Sequence, residues 1–98
     1  MSKRVILKGD MSAGSDGYVP TPAIEGDSHF TVNEIPVVTV GCRYQDHKEV
    51  HGDNIHTNRI QSGASSNIFI NGKEVAISGD PISCGDTAGE GSGFNVDV

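Results

Sequence analysis

Three of the chain's four histidines fall within ten residues, in His47-Lys48-Glu49-Val50-His51-Gly52-Asp53-Asn54-Ile55-His56. The segment is polar and carries no apolar periodicity, so it reads as an irregular loop rather than a core element. Cys84 follows in Ser83-Cys84-Gly85, beyond a second polar turn. Three imidazoles and one thiolate make a full tetrahedral donor set for structural zinc, one ion per chain. His47 and His51 are four residues apart and His56 comes five later, spacings that let a loop fold all three around one ion. Cys84 would arrive from a distant segment, so the metal would tie two parts of the chain together. Asp46, Asp53 and Asp86 are available to accept the ring N–H groups of ligating histidines. Cys42 competes as a ligand, or as a partner for Cys84. His29, beside Phe30 in a strand signal, reads as a surface or core-edge histidine.

Four protein ligands close a zinc site, whereas a catalytic zinc keeps one position open. A hydrolase would need a base, and Glu49, between His47 and His51, is the only obvious one. Its order differs from the zincin His-Glu-x-x-His, and no helical pattern carries it. A small zinc hydrolase and a metal-free β adaptor stand as alternatives to a structural metal site.

The elements that must position these groups are sparse. The chain has 98 residues, no Trp, two Tyr, three Phe and thirteen glycines, enough for one domain with a thin core. Such domains usually need a staple: a metal, a disulfide or a partner. A net charge of −6 argues against nucleic-acid binding, which draws on a basic face. The basic start, Met1-Ser2-Lys3-Arg4, precedes only Val5-Ile6-Leu7, too short a run for a secretory signal. The expectation is synthesis in a cytoplasm, where two cysteines serve as thiols or ligands.

The pattern is all-β. A first strand is predicted over 4–8, a loop over 11–22, and a hairpin from His29 to Val40 that turns at Asn33-Glu34. Pro36 belongs at a turn or an edge, since it cannot donate to a ladder. The polar segment runs from Cys42 to Asn58, followed by a short strand at Ile60-Gln61-Ser62. Asn67 to Ser78 holds the clearest hairpin, with Asn71-Gly72 as a type I′ turn. Gly85 to Gly93 reads as a loose tail, and Phe94 to Val98 alternates as a last strand. The two hairpins form an internal repeat, over about 26–41 and 63–80, and Gly91-Ser92-Gly93-Phe94-Asn95-Val96 starts a partial third copy over 91–98.

Ile70-Asn71-Gly72-Lys73-Glu74-Val75-Ala76-Ile77-Ser78-Gly79-Asp80, followed by Cys84-Gly85, resembles the Ile-Asn-Gly-Lys-Pro-Ala-Ala-Arg-x-Gly-Asp … Cys-Gly signature of PAAR-repeat proteins. Gly9-Asp10 resembles that family's opening Gly-Asp, and Gly26 through Gly41, with Ile35-Pro36-Val37-Val38, resembles its first repeat. The eponymous tetrapeptide is degenerate here, Pro36-Val37-Val38-Thr39 and Glu74-Val75-Ala76-Ile77. Gly41-Cys42 replaces one Gly-Asp, and Ser12-Ala13-Gly14-Ser15-Asp16-Gly17 stands where the family has His-Gly-Gly. Cys84 carries over directly. Either His51-Gly52 or His56 matches the central histidine, and His47 would supply what the early loop lacks. The resemblance implies a short cone of β-hairpins with pseudo-threefold repeats and zinc near its apex, and no enzymatic activity. It implies a base that caps a trimeric β-helical spike, one chain per trimer, driven through a bacterial envelope by a phage tail or a type VI secretion machine. With no appended domain in the sequence, the expectation is the tail-baseplate spike tip of a virion.

Overall fold

A computed structural model describes residues 2–14 and 17–97. Among them the only regular elements are eight short strands, all in antiparallel pairs: β1 (Ser2–Arg4), β2 (Asp27–Val32), β3 (Ile35–Val37), β4 (His47–Lys48), β5 (Ile55–His56), β6 (Phe69–Ile70), β7 (Lys73–Glu74) and β8 (Asn95–Asp97). None is a helix long and apolar enough to cross a membrane.

Three hairpins share one architecture. β2 pairs with β3 across Asn33-Glu34, and β6 with β7 across Asn71-Gly72. Asn71 and Gly72 have φ of 51° and 80°, the two positive values that a type I′ turn demands. The third hairpin is assembled from the two ends of the chain: Ser2 pairs with Asp97, Lys3 with Val96, and Arg4 with Asn95. The strand near the end of the chain therefore finds its partner at the start of the chain.

Each hairpin leads into a fully buried triplet: Val5-Ile6-Leu7, Val37-Val38-Thr39 and Val75-Ala76-Ile77. The triplets close a three-membered hydrogen-bond ring. The Ile6 amide donates to the Ala76 carbonyl at 3.0 Å, Ala76 to Val38 at 2.9 Å, and Val38 to Ile6 at 2.9 Å. A second set repeats the pattern: Lys8 to Pro36, Val40 to Glu74, and Ser78 to Arg4. Pro36, which cannot donate, serves here as an acceptor.

Side chains alternate across an extended backbone, so this ring divides two cores. Ile6, Val38 and Ala76 point to one side, where they pack with Ala23, Tyr44, Ile82 and Ala88. Val5, Leu7, Val37, Val75 and Ile77 point to the other, against Phe30, Val32, Ile68, Ile70 and Val96 of the hairpins. Each triplet then turns at a glycine, Gly9, Gly41 or Gly79, with φ of 96°, 97° and 89°. Asp10 and Asp80 accept the Leu7 and Ile77 amides at 2.7 and 2.8 Å. In the middle repeat Cys42 takes that place and meets the Thr39 hydroxyl at 3.6 Å.

Two expectations need correction. The histidine segment is not an irregular loop, because it contains the β4–β5 hairpin, with His47 opposite His56. Nor is 85–93 a loose tail. Ala88 bridges Ser12, and Gly91 runs so close to the Arg4–Val5 backbone that a Cβ there would collide with the Val5 carbonyl oxygen. Glycine serves that stretch by having no side chain to exclude.

Candidate metal centre

Beyond the ring, each repeat makes a second excursion. Bridges Met11–Pro22, Arg43–Ile60 and Pro81–Thr87 close the three, and Ser12–Ala88, Ala23–Tyr44 and Gln61–Ile82 join them to one another. The ends of these excursions carry the chemistry. The first brings Tyr18 and Val19, the second brings the β4–β5 hairpin, and the third brings Cys84 and Asp86.

His47, His56 and Cys84 converge here, each offering one ligand atom, all within 4.8 Å of one another. His47 Nε2 is 2.9 Å from His56 Nδ1 and 3.9 Å from Cys84 Sγ. Two nitrogens on one tetrahedral zinc would lie about 3.3 Å apart, and a nitrogen and a sulfur about 3.6 Å. The spacing therefore fits a single ion with small adjustments. The donor set fits as well: two imidazoles and a thiolate suit zinc, a borderline-soft ion.

The surroundings prepare His47 as a ligand. It is 1% exposed, and its Nδ1 lies 3.0 Å from the Val19 carbonyl, which can only accept. Nδ1 therefore carries the hydrogen, and the Nε2 lone pair faces the cluster. Burial holds the imidazole below its ordinary pKa of 6.5; the nearby Arg59 and His56 charges add to this, while the Val19 carbonyl and Asp86 oppose it. The neutral, ligating form is favoured. The Tyr18 ring stacks on both imidazoles, with centroids 4.6 Å from His47 and 3.9 Å from His56.

Behind the cluster lies a cation that no sequence motif announces. Arg59 is 0% exposed. Its Nε donates to Cys84 Sγ at 3.1 Å, Nη1 to the Gln45 carbonyl at 2.7 Å and also to the Thr21 hydroxyl, and Nη2 to Ser12 Oγ at 3.3 Å. Nη2 also pairs with Asp86 Oδ2 at 2.7 Å. One guanidinium thus binds all three excursions and orients the thiol. Beside it the buried Tyr44 hydroxyl, whose pKa burial pushes up, donates to Gln61 Oε1 at 2.8 Å.

The other sequence candidates lie elsewhere. His51 is exposed at the tip of the β4–β5 hairpin and does not join the group. The Lys48–Ile55 rung and the Glu49–Asn54 hydrogen bond separate it from His47. At ~3.3 Å per residue these carry the tip roughly 7 Å or more outward. Glu49 is spent on the Asn54 side chain at 3.2 Å. Asp86 does face His47 Nδ1, at 4.0 Å, while Asp46 and Asp53 are exposed. Cys42 and Cys84 are both free thiols, and Cys42 packs against the core outside the metal group. His29 sits exposed on β2 with Nδ1 2.9 Å from Asp27, whose carboxyl is held below its usual range chiefly by the His29 backbone N–H.

The chain is thus an all-β module of short hairpins, wound three times about a hydrogen-bonded ring and gathered at one end by a His, His, Cys cluster that could hold a metal ion. Residues 13–89 match the PAAR motif family, and the chain belongs to that family. Its proteins are spike tips of contractile injection systems that cap trimeric spikes, and they are structural, not enzymes. Comparison with curated proteins finds no match.

Proposed function

We propose that this chain is a zinc-stapled tip that seats its three-hairpin face on the blunt end of a trimeric β-helical spike, one chain per trimer, in a contractile injection machine, a phage tail or a type VI secretion system. The observation that carries the reading is the ring of Ile6, Val38 and Ala76. One polypeptide presents three near-equivalent hairpins about a common axis, which lets a single chain meet a threefold partner. The hairpins leave apolar side chains uncovered: Ile35, Phe94 and, 60% exposed, Phe69. Exposed strand edges are a liability in a free chain and a docking surface for another β structure. The opposite end holds His47, His56 and Cys84, whose bound zinc would join the second and third excursions. That is where a tip driven into a bacterial envelope needs its segments tied.

The test is reconstitution with a trimeric β-helical spike, read by native mass spectrometry. One chain per trimer is expected, and Phe69→Asp should abolish the complex while leaving the fold intact. A stoichiometry of three chains per trimer would refute the capping geometry. Elemental analysis of protein purified without chelator should give one zinc per chain.

A further inference from the structure

We propose that the groove between the β2–β3 and β6–β7 hairpins binds a carboxylate anion, completing a cap that the other two repeats build from their own side chains. Where the two chain ends pair, the Asp10 carboxylate accepts the Leu7 amide at 2.7 Å, the Ser92 amide at 2.9 Å and the Ser92 hydroxyl at 2.8 Å. Beside β6–β7, Asp80 accepts the Ile77 amide at 2.8 Å, the Ser65 amide at 3.2 Å and the Ser65 hydroxyl at 2.6 Å. Each carboxylate satisfies the last residue of a buried triplet and ties it to the segment that enters the hairpin.

The middle repeat keeps the donors and lacks the acceptor. Thr39, 1% exposed, holds the place of Leu7 and Ile77 in its triplet. Cys42 holds the place of Asp10 and Asp80: its amide donates to the Thr39 carbonyl at 3.1 Å, as theirs donate to Leu7 and Ile77. The Cys42 sulfur lies 3.6 Å from the Thr39 hydroxyl. Among the described residues, no acceptor meets the Thr39 amide, whereas the amides of Leu7 and Ile77 both have one. A buried backbone N–H left unpaired is rare and costly. At this junction lies a groove of about 310 Å³, lined by Ser28, Thr39, Cys42 and Lys73 among others. Ser28 stands where the chain enters its hairpin, as Ser65 and Ser92 do in theirs. Lys73 brings a positive charge, and Asp27, the acidic group in the lining, is already taken up by the His29 amide at 2.9 Å. A carboxylate in the groove would accept from Thr39 and Ser28 as the two aspartates accept from their partners, in charge-assisted bonds.

The experiment is amide NMR of the full chain during titration with sodium acetate, at neutral pH and constant ionic strength. The Thr39 amide proton should move downfield saturably, while those of Leu7 and Ile77, already capped, stay in place. Cys42→Ala should keep the response, because the site rests on the amide and not on the sulfur. Cys42→Asp should abolish it, since the carboxylate is then part of the chain, and should raise the melting temperature by about 4–8 °C. A Thr39 amide indifferent to acetate, or a Cys42→Asp chain that melts no higher than the parent, would overturn the proposal. The same carboxylate chemistry is available from a free anion or from an acidic side chain of the spike, and reconstitution separates the two. Cys42→Asp should weaken the complex at least tenfold if the spike supplies the carboxylate, and leave it unchanged if a free anion does. Failure of the parent chain to bind any spike would remove the capping reading and leave the acetate result standing.

Discussion

The two ends of this molecule are held together by different physics. On one side of the Ile6–Val38–Ala76 ring, three hairpins pack apolar side chains, Phe30, Val32, Ile68, Ile70 and Val96, against Val5, Leu7, Val37, Val75 and Ile77. On the other, the excursions converge on Arg59, Asp86, Gln61 and Tyr44, all buried and all hydrogen-bonded, with the His47, His56 and Cys84 group beside them. The hairpin end is repetitive, and its stability is spread over many small contacts. The metal end is irregular, and few groups carry it. Damage should therefore be graded at the first end and abrupt at the second.

Arg59→Leu is the harshest test of that contrast. It leaves Asp86 buried without its cation and withdraws donors from Cys84, Thr21, Gln45 and Ser12 at once. Breaking a buried pair from one side costs ~3–5 kcal/mol. Against a total stability of about 5–15 kcal/mol for a typical domain, that is a large share. Thermal denaturation should show the chain near the edge of folding at room temperature. The double variant Arg59→Leu/Asp86→Leu should recover part of the loss, because no lone charge remains. If the single variant melts like the parent, the buried cation is not the pin at this end.

Next in size comes the proposed zinc at His47, His56 and Cys84. Zinc at about a hundred times its dissociation constant adds ~2.7 kcal/mol to a fold that binds it only when native. Cys84→Ser should remove most of that gain, release the ion, and cost much less in chelated protein. An equal loss with and without zinc would mean that the thiol matters for packing alone.

How much of this could be read in advance divides along the same line. The Asn71-Gly72 turn, the apolar alternation on either side, and its echo at Phe30 to Val40 are local signals, and the two hairpins were legible from them. The third was legible only by half. The strand near Val96 alternates, but its partner begins at Ser2, and nothing local tells a strand that it pairs with the far end of the chain. At the other end, residue type points to His47, His56 and Cys84, whereas spacing alone cannot distinguish a loop that wraps His51 inward from a hairpin that throws it outward. Arg59 gave no warning. Thr57-Asn58-Arg59-Ile60 has no motif, and a charged side chain is by default an exposed one. Glycine misled in the tail, where its absent side chain permits close approach to Val5 rather than looseness.

Gly91→Ala probes the seam where the chain's two ends meet. The added methyl would press on the backbone carbonyls of Arg4 and Val5, which cannot swing aside as a flexible side chain could. Overpacking of this kind costs ~1–3 kcal/mol. Hydrogen exchange should show the loss concentrated at the β1–β8 hairpin, with the other two hairpins protected as before. Uniform deprotection would mean that the three repeats melt as one and that the seam is not a separate weak point.

The mildest change should run in the opposite direction. Asn33 and Glu34 occupy the turn that Asn71 and Gly72 fill in the neighbouring repeat, and Glu34 has φ of 70°. A residue with a Cβ pays about 1–2 kcal/mol for the left-handed region, and asparagine tolerates it better than glutamate. Glu34→Gly removes that strain but widens the unfolded ensemble, which takes back roughly 0.5–1 kcal/mol. The net expectation is a gain of between zero and about 1.5 kcal/mol, measured by chemical denaturation with an unchanged slope. Because Glu34 is exposed at the tip of the face assigned to the spike, the same variant separates fold from function. A more stable chain that binds the trimer less well would show that the strained glutamate is retained for the partner. A more stable chain that binds equally well would show that the second hairpin carries a turn it does not need.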